Sequence, residues 1–134
     1  SFSDRLDISK LILVSSKNHQ QSKLHNLLST LCFGETKKIG SVGCKVVSIL
    51  RGEADVYISL SGKTSPKDWD MAAPHALNEA AGGMFSHADG KNLIYQETNY
   101  SQSGCLIASH GKSHQKICQK AMDFFSLEEP KYFV

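Results

Sequence analysis

No apolar run in this chain approaches the roughly 20 residues that a membrane-spanning helix needs, so nothing in it reads as a transmembrane anchor. Its first residues also lack the charged-then-apolar order of a secretory signal, and a cytoplasmic protein is the expectation. Charge of one sign is missing too. Fifteen Lys and Arg are scattered among 13 Asp and Glu, and a net charge of +2 gives no basic surface for nucleic acid. Cysteine is sparse: Cys32, Cys44, Cys105 and Cys118 lie far apart, form no Cys-x-x-Cys and have no histidine at zinc spacing. Buried, reduced thiols are expected of them, not disulfides or a metal cluster. Internal repeats and low-complexity segments are absent as well.

What is present is an ordinary globular composition, 40% hydrophobic and 21% charged over 134 residues, enough for one domain with its own core. Short apolar runs alternate with helical periodicities. Leu11-Ile12-Leu13-Val14 reads as a strand buried on both faces. Leu24, Leu27, Leu28 and Leu31 recur at helical spacing, so 20–31 reads as an amphipathic helix ended by Gly34. A strand is expected over 36–39, a helix from Gly40 through Val46, Val47, Ile49 and Leu50, and a strand over 54–60. Met84-Phe85-Ser86 and Leu93-Ile94-Tyr95 flank Asp89-Gly90 like a hairpin. Cys105-Leu106-Ile107-Ala108 reads as a last strand, followed by a helix with Ile117, Ala121, Phe124 and Phe125 inward. The fold class is therefore α/β, a layered, mostly parallel sheet flanked by helices. Such sheets place ligands at the carboxyl ends of strands and at helix N-termini.

Three stretches fall at those places. In Lys67-Asp68-Trp69-Asp70 a carboxylate stands at a helix mouth, with Pro74 in the first turn. Ala72, Ala73, Ala76, Leu77, Ala80 and Ala81 form a small-residue face expected to be buried, and Gly82-Gly83 is the stop. Asp70 suits either a helix N-cap or a metal ligand. Gly40-Ser41-Val42-Gly43 opens a helix with N–H groups aimed outward, a ready anion site. Lys45 sits in its first turn, against the helix dipole, so either an anion lies beside it or it is merely solvated. His19 follows the first strand, where both a substrate contact and a surface loop histidine are open readings. Lys63 and Lys67 precede the Asp70 stretch, where solvation is the usual fate of a lysine.

Trp-Asp-x-Ala-Ala followed by Glu-Ala-x-Gly-Gly resembles the C-terminal signature of the inositol monophosphatase superfamily. The resemblance extends, in the family's order, through Ser15 to His19, Gly40 to Lys45 and Arg51-Gly52-Glu53-Ala54-Asp55-Val56-Tyr57. Within the superfamily, Lys45, the Lys67-Asp68-Trp69-Asp70 spelling and the Pro after Ala-Ala look closest to the 3′(2′),5′-bisphosphate nucleotidases. The resemblance implies a magnesium-dependent phosphomonoesterase. Magnesium ions would hold the phosphate and activate a water, Asp70 would be a metal ligand, and His19, Gly40, Ser41, Lys45 and Lys67 would bind substrate. Relatives hold a charged residue at the position that aligns with Ser59, and serine departs from that pattern. They also draw most metal ligands from an Asp-Pro-x-Asp-Gly-Thr run that these residues do not contain. The expectation is thus a C-terminal lobe, 1–134, that is not a competent phosphatase by itself. It would act on 3′-phosphoadenosine 5′-phosphate, with inositol or sugar phosphates, or a non-catalytic anion-binding remnant, as alternatives. A lobe of this kind exposes apolar surface, so self-association is expected.

Overall fold

The computed structural model describes residues 2–16, 22–61, 68–90 and 104–128. A short 3-10 turn, Ile8–Lys10, leads into β1 (Ile12–Ser16), α1 (Ser22–Leu31), β2 (Glu35–Ile39), α2 (Val42–Leu50) and β3 (Val56–Ser61). Then follow α3 (Asp68–Ala80), β4 (Met84–His87), β5 (Gly104–Ser109) and α4 (His114–Glu128). The strands form one sheet in the order β2-β1-β3-β5-β4. β1 pairs in parallel with β2 and β3, while β5 pairs antiparallel with β3 and β4. Four strands therefore run one way and β5 alone opposes them, so the sheet is mixed and mostly parallel, as the patterning predicts. The expected hairpin partner of β4, 93–95, lies outside the described residues, and β4 takes β5 as its neighbour.

Period-two alternation sorts the core onto two faces. Leu13, Val56, Ile58, Cys105 and Ile107 face α1 and α4, where Leu27, Leu31, Ile117 and Ala121 cover them. Val14, Tyr57, Phe85, Leu106 and Ala108 face the other way, toward Val46 and Ile49 of α2. The chain leaves β1 for β2 on one side, then returns past β1 to β3 on the other. The carboxyl ends of β1 and β3 thus flank a topological switch point, the usual ligand crevice of such sheets. Because β2, β3 and β4 are codirectional, α2 and α3 run alongside each other and both begin at that edge.

Two expectations about α3 are corrected. Pro74 is not in the first turn but is the seventh residue of a helix that starts at Asp68, so its missing N–H leaves the Asp70 carbonyl without its usual i+4 donor. The alanine face is not buried either: Ala73, Ala76, Ala80 and Ala81 are exposed and Leu77 is 53% exposed. Inward positions belong to Pro74 and Asn78. The Asn78 amide, fully buried, donates to the carbonyls of Met84 at 2.9 Å and Ser109 at 3.1 Å, which docks the helix on β4 and β5. The stop falls where expected, because Gly82 adopts φ +97°. Its N–H bonds Glu79 O at 3.0 Å and that of Gly83 bonds Asn78 O at 2.8 Å, the paired bonds of a Schellman cap. The thiols divide: Cys105 and Cys118 are buried as expected, whereas Cys32 and Cys44 are exposed.

At the amino ends of β1 and β3 the buried carboxylate of Asp55 ties the leading segment to the sheet. It receives Arg5 Nε at 2.7 Å, the backbone N–H of Ile12 at 2.8 Å and the Ser3 hydroxyl. His110 Nε2 donates to the Arg5 carbonyl at 2.8 Å, since its Nδ1 accepts the Lys112 N–H at 3.2 Å. On the α4 side, His114 bridges Ser109 Oγ and Ser86 Oγ, each at 2.8 Å. Ser86 gives its own proton to the His87 carbonyl and so accepts from Nε2–H, which fixes a neutral imidazole. Burial lowers the pKa of His114 to about 4.

Replacing Arg5 by methionine strands the Asp55 charge in the core and should cost on the order of 3 kcal/mol in urea unfolding. The acid prediction follows from His114. Unfolded, it titrates near 6.5, so its contribution is complete above that pH and fades as pH falls toward 4. Stability should drop by ~3 kcal/mol across that window. His114→Gln should flatten that slope, measured by thermal unfolding from pH 7.5 to 4.

Candidate functional site

The helix that follows β2 begins with Ser41 as its cap, the hydroxyl accepting the Cys44 N–H at 3.1 Å. That accounts for Ser41 structurally and leaves its O–H proton available to an acceptor. The N–H groups of Val42 and Gly43 have no place in the helical ladder and point out of the N-terminus with the positive end of the dipole. An anion site of this kind ordinarily draws on solvent-facing cations. Here the cation is inside.

Lys45 occupies a position on the sheet-facing side of α2, beside Val46 and Ile49, and is 3% exposed. The reading of a solvated, indifferent lysine is therefore overturned. Its Nζ donates to the Gly40 carbonyl at 2.8 Å and lies 5.1 Å from the centre of the Tyr57 ring. Among the described residues no carboxylate pairs with it. Desolvation holds its pKa below the ordinary lysine value, with the neighbouring Cys44 pulling weakly the other way. Buried charges are usually paired, and an unpaired one is destabilising. This is the strongest electrostatic irregularity among the described residues.

A cleft of about 510 Å³ runs between α2 and α3, lined by Ser41, Gly43, Cys44 and Val47 on one wall and by Ala73, Pro74 and Leu77 on the other; Lys45 is not among its lining residues. Ser41 thus borders the same cleft as the residues one turn after Asp70. Asp70 itself is the third residue of α3, so the helix starts ahead of it. Its backbone stands at the same sheet edge as Gly40, Ser41 and Lys45; its side chain lies outside the described set. His19 and Lys67 also lie outside the described residues, in the segments 17–21 and 62–67 that leave the carboxyl ends of β1 and β3. Among the described residues, no three His, Cys, Asp or Glu side chains gather into a metal cluster, and none of the helices is long and apolar enough to cross a membrane.

One feature of this site escapes sequence reasoning: Tyr57, whose register, opposite to Val56 and Ile58, points it at α2. Ser59, already set apart in the sequence by its departure from the pattern of relatives, lies on the same face and is 9% exposed, with a hydrogen bond to the Tyr57 phenol. His110 and His114 make structural hydrogen bonds, to the leading segment and between β4 and β5 respectively.

Comparison with known proteins agrees with this geometry. The family model described as "Inositol monophosphatase family" matches residues 2–124. The chain is 26% identical over 121 residues to 3′(2′),5′-bisphosphate nucleotidase 1 of Dictyostelium discoideum, covering 88% of this chain and 38% of that protein. It is 32% identical over 108 residues to inositol monophosphatase 3 of Xenopus laevis, covering 74% of this chain and 30% of that one. Its fold matches a solved IMPase/NADP phosphatase complexed with Mg2+ and phosphate at a TM-score of 0.65 and 17% identity, over 88% of this chain and 41% of the other. The chain thus spans roughly a third of the curated relatives it matches. Sequence, topology and the anion-ready edge converge, and the chain belongs to the inositol monophosphatase family.

Proposed function

We propose that this chain is the substrate-side lobe of a divalent-metal-dependent phosphomonoesterase, with a bisphosphate nucleotide of the 3′-phosphoadenosine 5′-phosphate type as its substrate. The observation that carries this reading is the buried ammonium of Lys45 behind the N-terminus of α2, which meets no carboxylate among the described residues. A phosphate there supplies the missing negative charge, accepts from Lys45 and meets the N–H groups of Val42 and Gly43 and the Ser41 hydroxyl. A substrate with two phosphates makes better use of an extra cation than one with a single phosphate. In this reading His19 and Lys67, from the loops at the switch point, contact the nucleotide.

Magnesium needs about six oxygen ligands in a nearly octahedral shell. Asp70, with Asp68 beside it, supplies at most a part of that set, and the described residues add no cluster to it. In this proposal the described residues do not complete a metal site, and the chain's role is to bind and orient the ester. The cytoplasmic setting expected from the sequence belongs to the same proposal. A second reading, an inositol phosphate substrate, draws on the Xenopus relative and on Ser59, whose neutral side chain carries no preference for a nucleotide.

Titration calorimetry of the chain with adenosine 3′,5′-bisphosphate, inorganic phosphate and inositol 1-phosphate separates these readings. The bisphosphate should bind about tenfold more tightly than the inositol ester, a difference of ~1.4 kcal/mol. Equal affinities would contradict the nucleotide assignment, and silence toward all three from a folded chain would contradict the anion site. Lys45→Met should lower bisphosphate affinity by about tenfold or more. The same substitution should raise unfolding stability by ~1–2 kcal/mol, because it removes a buried charge that no carboxylate among the described residues neutralises. With magnesium and bisphosphate supplied, the chain alone should release no phosphate above background; turnover would show that its metal site is complete.

A further inference from the structure

The lysine side chain is a flexible four-carbon stem that ordinarily reaches for solvent. At Lys45 it does not. The face of the Tyr57 ring lies 5.1 Å from its ammonium, within the range where a ring quadrupole attracts a cation. The ring is fixed in turn. Tyr57 is 4% exposed and stands edge-on to Phe85, centroids 6.4 Å apart and planes at 90°, and Phe85 packs against His75 of α3 at 5.7 Å. The phenol is anchored too, through its hydrogen bond with Ser59. Two directions around the ammonium are thereby set, one by the Gly40 carbonyl and one by an immobile aromatic face.

We infer that Tyr57 is a positioning residue: its ring face holds the protonated amine of Lys45 at the α2 N-terminus in readiness for a phosphate. The inference rests on the anion-site reading above and adds what keeps that site assembled without a ligand. An aliphatic side chain of similar bulk fills the same space but offers the ammonium no quadrupole, so the amine is free to leave or to lose its proton. The phenolic oxygen is not what acts on the lysine; the ring is. Phenylalanine therefore substitutes and leucine does not.

The test compares wild type, Tyr57→Phe and Tyr57→Leu, with Tyr57→Met as a second aliphatic replacement should the leucine variant not fold. Without ligand, the ε-methylene signals of Lys45 should show an upfield ring-current shift in wild type and Tyr57→Phe, and lose it in the aliphatic variant. Affinity for inorganic phosphate and for adenosine 3′,5′-bisphosphate should stay within about twofold in Tyr57→Phe and weaken by about 3–10-fold in the aliphatic variant. Identical methylene shifts in all three proteins would overturn the role of Tyr57, as would an aliphatic variant that binds like wild type or a phenylalanine variant that is equally impaired. Failure of wild type to bind either anion is a different result. It overturns the anion-site reading, while the methylene shifts still decide whether the ring holds the lysine.

Discussion

An ammonium group taken out of water keeps its proton only if something nearby favours the charge. For Lys45 the groups that do so among the described residues are a backbone carbonyl and an aromatic face, and in the proposed reading a bound anion adds to them. The same helix N-terminus that repels the lysine attracts a phosphate, so the two unfavourable placements, a cation against a dipole and a charge under a helix, are relieved by one ligand. The sheet delivers the remaining groups. Codirectional strands put the first turns of α2 and α3 on one edge, and the strand order reverses at β1 beside it.

The opposite edge holds no comparable imbalance. Asp55 is as buried as Lys45 but is met by a guanidinium, a backbone N–H and a hydroxyl, and His110 and Lys112 stitch the same leading segment down. The contrast is informative within a single chain. Asp55 is neutralised within the fold, whereas no carboxylate among the described residues meets Lys45, and in the proposed reading a ligand supplies that charge. The neutral, doubly bonded His114 belongs to the first kind, since it joins α4 to β4 and β5 without carrying charge.

Much of the architecture was legible in the residues. Alternating apolar runs gave the strands, leucine spacing gave α1, and Gly82 marked a left-handed stop that only a residue without Cβ adopts readily. The oddity of Lys45 was visible as a cation in the wrong turn. Its burial was not, because that depends on Tyr57 arriving beneath it from a strand that the sequence does not place beside α2. Likewise the alanines of α3 suggest a buried face, but their side of the helix is turned outward over the cleft, a choice made by Pro74 and Asn78. The Arg5–Asp55 tie spans 50 positions, and no local pattern announces it.

Among the described residues, Ser41 and Lys45 stand together at the N-terminus of α2, and no three His, Cys, Asp or Glu side chains form a metal cluster. The most direct test of this account is a crystal structure of the chain grown with adenosine 3′,5′-bisphosphate. The account predicts a phosphate within about 3 Å of Lys45 Nζ and of the Ser41 hydroxyl, capping the N-terminus of α2. A phosphate bound elsewhere, with the Lys45 ammonium still resting on Gly40 and Tyr57 alone, would contradict it.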